Sequence, residues 1–233
     1  MNNLTDYKYF LLVGFQKISL VAINPNNQIF FTKEILTNDF SVNENFKTLE
    51  NFLNQNIFEI EKSLDKYVKD IYLIIDYDNF FSVDISFKYN FKDIVVEHSQ
   101  LNSALIDLKN QFKKTIGDHE ITHIVINKFI IDGTVYSSLP NGINYKDLAL
   151  EVRFICLNNK IINNSKKILS KYQIFVKRIL CCEYLRKFKN ADNQNIFSIA
   201  NSILNGQNQN ENFLLNKSTK NKGFFEKFFS FFN

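Results

Sequence analysis

Three short apolar runs followed by a long amphipathic helix leave this chain few ways to fold. Tyr7 to Gly14, Lys17 to Asn24 and Gln28 to Leu36 read as strands, and the turn sequence Asn24-Pro25-Asn26-Asn27 joins the second to the third. From Val42 to Lys66 the period changes. Phe46, Leu49, Phe52, Leu53, Ile57, Ile60 and Leu64 recur at three-and-four spacing, the stripe of a helix that packs on a sheet. An antiparallel meander covered by one helix is the expected opening.

The same reading continues downstream. Ile71 to Asp76 and Phe80 to Phe87 are strands, the second alternating through Phe81, Val83, Ile85 and Phe87. Ser99, a good N-cap, opens a helix to about Thr115 with Leu101, Leu105, Leu108 and Phe112 inward. Ile121 to Ile131 is a strong β run ended by the turn Asp132-Gly133, and a loop with Pro140 and Gly142 follows. Asp147 to Leu157 is a strand, Asn159 to Lys171 a helix with Ile161, Ile162, Ile168 and Leu169 inward, and Ile174 to Cys182 a strand. Asn195 to Leu204 is a further amphipathic helix. Gly206 to Lys222, rich in Asn, Gln and Lys, is expected to be a flexible linker.

Composition excludes several function classes. With 233 residues, 45% of them hydrophobic, the chain can bury a substantial core. Its net charge of +4 has no basic run interleaved with aromatics, so nucleic acid is not an expected partner. Arginine occurs only at Arg153, Arg178 and Arg186, which weakens a phosphate-recognition reading. Cys156, Cys181 and Cys182 suit buried, reduced thiols. His119 and His123 straddle a loop-to-strand junction, so no metal site is expected and both are read as satisfied surface side chains. Asp76 and Asp78 are read as turn-forming acids, and no catalytic constellation is found. The first residues, MNNLTDYKYFLLVGF, lack a basic n-region and are not a signal peptide. The chain is expected to be cytoplasmic unless something attaches it to lipid.

The C-terminal segment supplies that attachment. In Gly223-Phe-Phe-Glu-Lys-Phe-Phe-Ser-Phe-Phe-Asn233, helical projection at ~100° per residue gathers Phe224, Phe225, Phe228, Phe229, Phe231 and Phe232 within an arc of roughly 160°, with Glu226, Lys227 and Ser230 opposite. Such a helix is about 16 Å long, so it lies in an interface and does not cross a bilayer. Lys217, Lys220 and Lys222 stand just upstream, where each contributes ~1 kcal/mol of attraction to anionic lipid. A membrane surface is the expected partner of these phenylalanines and of Lys217, Lys220, Lys222 and Lys227. Docking of the segment on the protein's own core is the competing expectation.

Between His123 and Cys182 the chain carries HIVINKFIIDG, LPNGI, DLALEVRFICL and QIFVKRILCCEYL. In this order the stretch resembles the actin-like FtsA family of bacterial cell-division proteins, with Asp132-Gly133, Pro140 and Gly142 at the family's turn positions. The resemblance implies an α+β chain. It would comprise a partial actin-like (ribonuclease H-like) half-domain, an inserted strand-helix-strand-strand (SHS2) subdomain and a C-terminal amphipathic helix. The implied divisions are residues 1–70 for the first part of the actin-like subdomain and 71–182 for the insertion and return strand. Residues 183–205 are closing helices, 206–222 the linker and 223–233 the membrane helix.

Two departures limit what carries over. Where the family has a phosphate loop of the form Asp-Ile-Gly-Thr-Ser-Lys, this chain has Leu12-Val13-Gly14-Phe15-Gln16-Lys17. Leucine replaces the acid and Phe15 puts bulk at the phosphate position; Gly14 is expected to serve a hairpin bend and Lys17 a solvated tip. The family's second actin-like half is also missing after Cys182-Glu183-Tyr184. No cofactor and no ATPase activity are therefore expected, and the surface that docks FtsZ in the family is lost with that half. The resemblance leaves a non-enzymatic division adaptor at the cytoplasmic face of the inner membrane, which recruits other division proteins through the inserted unit, with self-association open. The alternative is an ATP-binding actin-like protein with its nucleotide function intact. A third reading places the fold in type IV pilus assembly, whose FtsA-like protein retains its nucleotide site and lacks a terminal phenylalanine helix.

Overall fold

β1 (Lys8–Gly14) and β2 (Lys17–Ile23) are apolar on both faces because both faces are covered. The computed structural model describes residues 6–37, 42–78, 80–90, 98–140, 147–189 and 194–211. β1, β2 and β3 (Ile29–Leu36) form the expected antiparallel meander. β4 (Asp70–Asp76) then runs parallel to β1, and β9 (Phe175–Cys181) parallel to β4, giving the order β3-β2-β1-β4-β9. One face is covered by α1 (Val42–Leu64), whose Leu49, Leu53 and Ile60 are fully buried. Each contributes roughly 1.5 to 3 kcal/mol. α3 (Asn159–Ser170) lies beside α1, held there by Lys171 on Glu50 and by the Tyr172 hydroxyl on Asn54. The other face carries α4 (Cys182–Arg186) and α5 (Ile196–Leu204), from which Phe197 packs edge-on against Phe10.

Between β4 and β9 the chain builds a second sheet. β5 (Phe80–Asn90), β6 (His119–Ile131), β7 (Thr134–Tyr136) and β8 (Asp147–Asn158) lie in the order β5-β8-β6-β7, every neighbour antiparallel. α2 (His98–Lys113) covers it with Leu101 and Leu105, and Phe112 stacks on Phe154 at 4.9 Å. Asp132 and Gly133 both have positive φ, 45° and 83°, the left-handed pair a tight hairpin turn requires. Asp132 also accepts the Asp147 N–H at 2.9 Å, fixing β6 against the start of β8.

Three assignments differ from the sequence reading. β4, read with the inserted unit, belongs to the first sheet. β7, three residues long, was not anticipated. The linker expectation fails at its beginning: Gly206–Glu211 lies on the body, with Glu211 6% exposed. Residues 212–222 and the whole phenylalanine segment lie outside the described residues.

Candidate functional site

The hairpin between β1 and β2 stands where the resemblance places a phosphate loop, and the Phe15 N–H, the Phe15 and Gln16 carbonyls and the Lys17 ammonium are already engaged. A Cβ on Gly14 would lie 3.0 Å from Asp76 Cβ and 3.1 Å from Asp76 O, so glycine lets β1 close against β4. The Phe15 N–H donates to Asp76 O at 3.3 Å, and the Phe15 ring meets Tyr77 edge-on at 4.3 Å. Thr37 donates its N–H to Gln16 O at 2.8 Å and its hydroxyl to Phe15 O. Lys17, expected as a solvated tip, is paired with Glu34 at 2.9 Å. Hydrogen bonds from Lys17 and Ser19 hold the Glu34 carboxyl below its usual range.

Beside the hairpin lies an open cleft of about 450 Å³ lined by Leu12, Lys17, Glu34, Asp76, Arg186 and Phe197. Arg186 holds Asp76 at 2.8 Å and Glu183 at 3.2 Å. Asp76, read as a turn acid, is thus a partner of α4. Two of the cleft's cations, Lys17 and Arg186, therefore hold carboxylates, and its apolar wall continues into the core.

A second constellation sits where the two sheets meet. His123, expected at the surface, is 1% exposed. Its Nε2 accepts the Cys181 N–H at 2.8 Å, so the ring proton is on Nδ1, which donates to Glu211 Oε1 at 2.7 Å. Glu211 also accepts from Arg178 at 2.6 Å and from the Tyr184 hydroxyl at 2.8 Å, and Asn208 donates to that hydroxyl at 2.9 Å. Burial pushes the His123 pKa down, against the pull of Glu211. Burial of Glu211 acts to raise its pKa, but its donors, His123 first, hold it below the ordinary value. The backbone joins in. Ile126 N–H donates to Asn210 O at 2.9 Å, and the Asn210 side chain donates to Ser137 O at 2.8 Å. The arrangement clamps β6 to β9 and α4 through Gly206–Glu211, and every polar group named in it is committed to another.

The remaining candidates separate clearly. Phe224, Phe225, Phe228, Phe229, Phe231 and Phe232, with Lys217, Lys220, Lys222 and Lys227, lie outside the described residues. His119 stands edge-on to Phe81 at 4.8 Å, far along β6 from a paired metal geometry with the buried His123. Among the described residues no group of His, Cys, Asp and Glu is arranged to hold a metal, and no helix is long and apolar enough to cross a membrane. Cys156, Cys181 and Cys182 are free and buried, and burial pushes the Cys156 thiol up to about 12. The clamp itself escaped the sequence reading. The isolated His123 inside an apolar strand was its one visible signal, since a buried imidazole needs partners.

No protein-family model matches the chain, and no curated protein does. Among solved structures it is similar to the PilM-PilN type IV pilus biogenesis complex, with a TM-score of 0.48 and 7% identity over 76% of this chain and 48% of that one. It is also similar to the cytoplasmic domain of EpsL, an inner membrane component of the type II secretion system of Vibrio cholerae. There the TM-score is 0.39 and the identity 10%, over 80% of this chain and 59% of that one. The chain thus spans about half the length of these structures.

Proposed function

We propose that this chain is a non-enzymatic adaptor held at the cytoplasmic face of the inner membrane. Its body is a reduced actin-like half-domain, its second sheet an SHS2-type unit that binds other proteins, and its C-terminal phenylalanine helix the anchor. The half-domain reading is supported by the strand order β3-β2-β1-β4-β9, with an antiparallel meander followed by two parallel strands. The SHS2 reading is supported by the succession β5, α2, β6, β7 and β8, whose four strands form one antiparallel sheet.

The observation that carries the non-enzymatic part is the hairpin tip. A phosphate loop works by aiming free backbone N–H groups at a ligand. Here the Phe15 N–H is bonded to Asp76 O, the Phe15 ring is packed on Tyr77 and the Lys17 ammonium is held by Glu34. Calorimetric titration with Mg-ATP tests this, and no heat of binding is expected; micromolar binding would restore the nucleotide-binding alternative.

Cell division is the process we assign, on the resemblance of His123 to Cys182 to the FtsA family. A fluorescent fusion is expected to gather at midcell. Accumulation at a pilus or secretion assembly instead would move the same adaptor to that process. Sedimentation with anionic liposomes tests the anchor, and the chain lacking residues 223–233 is expected to stay in the supernatant.

A further inference from the structure

At the opposite end of the first sheet from the hairpin, the starts of β1, β4 and β9 frame a pocket of about 370 Å³ under the end of α5. Lys8 opens β1 and donates to Asn201 Oδ1 at 2.8 Å and to Asn205 Oδ1 at 2.6 Å. Carboxamide oxygens fix an ammonium group without neutralising it. Asn201 is itself held, 3% exposed and donating to Asn27 at 3.1 Å, so Lys8 is gripped by a rigid partner.

A second cation is brought to the same pocket by an irregularity in the sheet. The β4–β9 register passes from Ile71↔Val176 to Tyr72↔Arg178, leaving Lys177 as the extra residue of a bulge. Bulges re-aim side chains. This one lets Arg178 reach Glu211 and leaves the Lys177 ammonium 5.7 Å from the centre of the Tyr72 ring. Burial, then the nearby Lys177 charge, hold the Lys8 pKa below its ordinary value, and only Asp6 opposes them. Asp6 stands on the rim, 94% exposed and turned to Lys66 at 3.4 Å. Asp70 also lines the pocket, at the exposed start of β4.

Two ammonium groups on one pocket wall, one of them fixed by neutral acceptors and neither in an ion pair among the described residues, offer an anion a positive face beside the rim carboxylates Asp6 and Asp70. We propose that Lys8 and Lys177 form a binding site for a phosphate group, free or carried on a phospholipid head, with the Tyr72 ring as its wall. Lysines suit this ligand because an ammonium is a compact point charge that can meet any phosphate oxygen. The pocket has room for a phosphate and a small polyol attached to it. It is separate from the hairpin cleft, since Lys8 and Gly14 are the two ends of β1, about 20 Å apart.

The test is a titration of the full chain with inorganic phosphate and, separately, with glycerol phosphate, the soluble head of phosphatidylglycerol. Binding is followed by the side-chain amide NMR signals of Asn201 and Asn205. Saturable movement of these signals is expected with at least one probe. Lys177→Gln, an exposed change, should weaken binding about tenfold or more, and Lys177→Arg should retain it. Lys128→Gln, which removes a surface ion pair with Glu151 on the second sheet, should change nothing. Tighter binding of glycerol phosphate assigns the site to lipid heads; equal or tighter binding of inorganic phosphate assigns it to the free ion. Signals that do not move with either probe, or equal affinity in Lys177→Gln, would overturn the proposal. Neither probe is a vesicle, so the result stands whatever the phenylalanine anchor does.

Discussion

Glu211 accepts the Nδ1–H of His123 at 2.7 Å across 88 residues of chain, in a site that leaves the two side chains 1% and 0% exposed. The segment that follows α5 is therefore fastened to β6 before the chain continues toward its C-terminus. Removing the carboxylate would take one acceptor at once from the half-buried Arg178 guanidinium, the buried His123 Nδ1–H and the Tyr184 hydroxyl. Glu211→Ala is expected to cost about 3 to 5 kcal/mol, read as a drop in the urea midpoint. Glu211→Gln, which keeps an acceptor oxygen, should cost less.

The same pair sets an acid limit. Both folded-state pKa values are depressed, so the stability they confer is fully present above the unfolded values, 6.5 for His and 4.5 for Glu. It is lost as pH falls through the folded values. Protonating His123 also sets a second ring N–H against the Cys181 N–H at 2.8 Å, donor facing donor. Urea midpoints measured from about pH 7.5 to about pH 4 should fall, beginning below 6.5. In Glu211→Gln the loss below 4.5 should be smaller than in the unchanged chain. A flat profile would contradict the pairing.

What the sequence could reveal depended on the range of the interaction. α1 and α3 were legible because a stripe such as Ile161, Ile162, Ile168 and Leu169 is a local signal, and Asp132-Gly133 because its turn needs two left-handed residues. β4 was legible as a strand but not as a member of the first sheet, since the run Ile71 to Ile75 is buried on both faces and period says nothing about neighbours. The clamp was hidden for a related reason. A register shift between Ile121 and His123 turns His123 inward, and Glu211 finds its partners 88, 33 and 27 residues away. In its own neighbourhood Glu211 is one acid in a polar run.

Gly14 offers a test of the closed hairpin that needs no ligand. Its missing Cβ leaves room for Asp76, and φ there is not in the left-handed region, so Gly14→Ala acts through space alone. The change should destabilise the chain by about 1 to 3 kcal/mol, because the backbone oxygen of Asp76 cannot swing away as a flexible side chain would. Mg-ATP should leave the thermal midpoint of both proteins where it was. A ligand-dependent rise in the unchanged chain would show the hairpin opening to receive phosphate.

The proposed anchor can be tested in its apolar and charged parts separately. The three lysines upstream of Gly223 should each contribute ~1 kcal/mol on an anionic surface. Changing Lys217, Lys220 and Lys222 together to Gln should weaken liposome affinity on the order of a hundredfold at low salt. That difference should shrink as salt is raised, because screening acts on the lysines and not on the phenylalanines. Phe225→Asp with Phe228→Asp should abolish sedimentation at any salt, since it places charge in the middle of the apolar arc. If the lysine variant binds as well as the unchanged chain at low salt, the upstream charges are solvated surface and the phenylalanines alone hold the protein. If the aspartate variant still sediments, the attachment lies elsewhere on the molecule. The Lys8 and Lys177 pocket would then be the next candidate, because it gathers two cations that form no ion pair among the described residues.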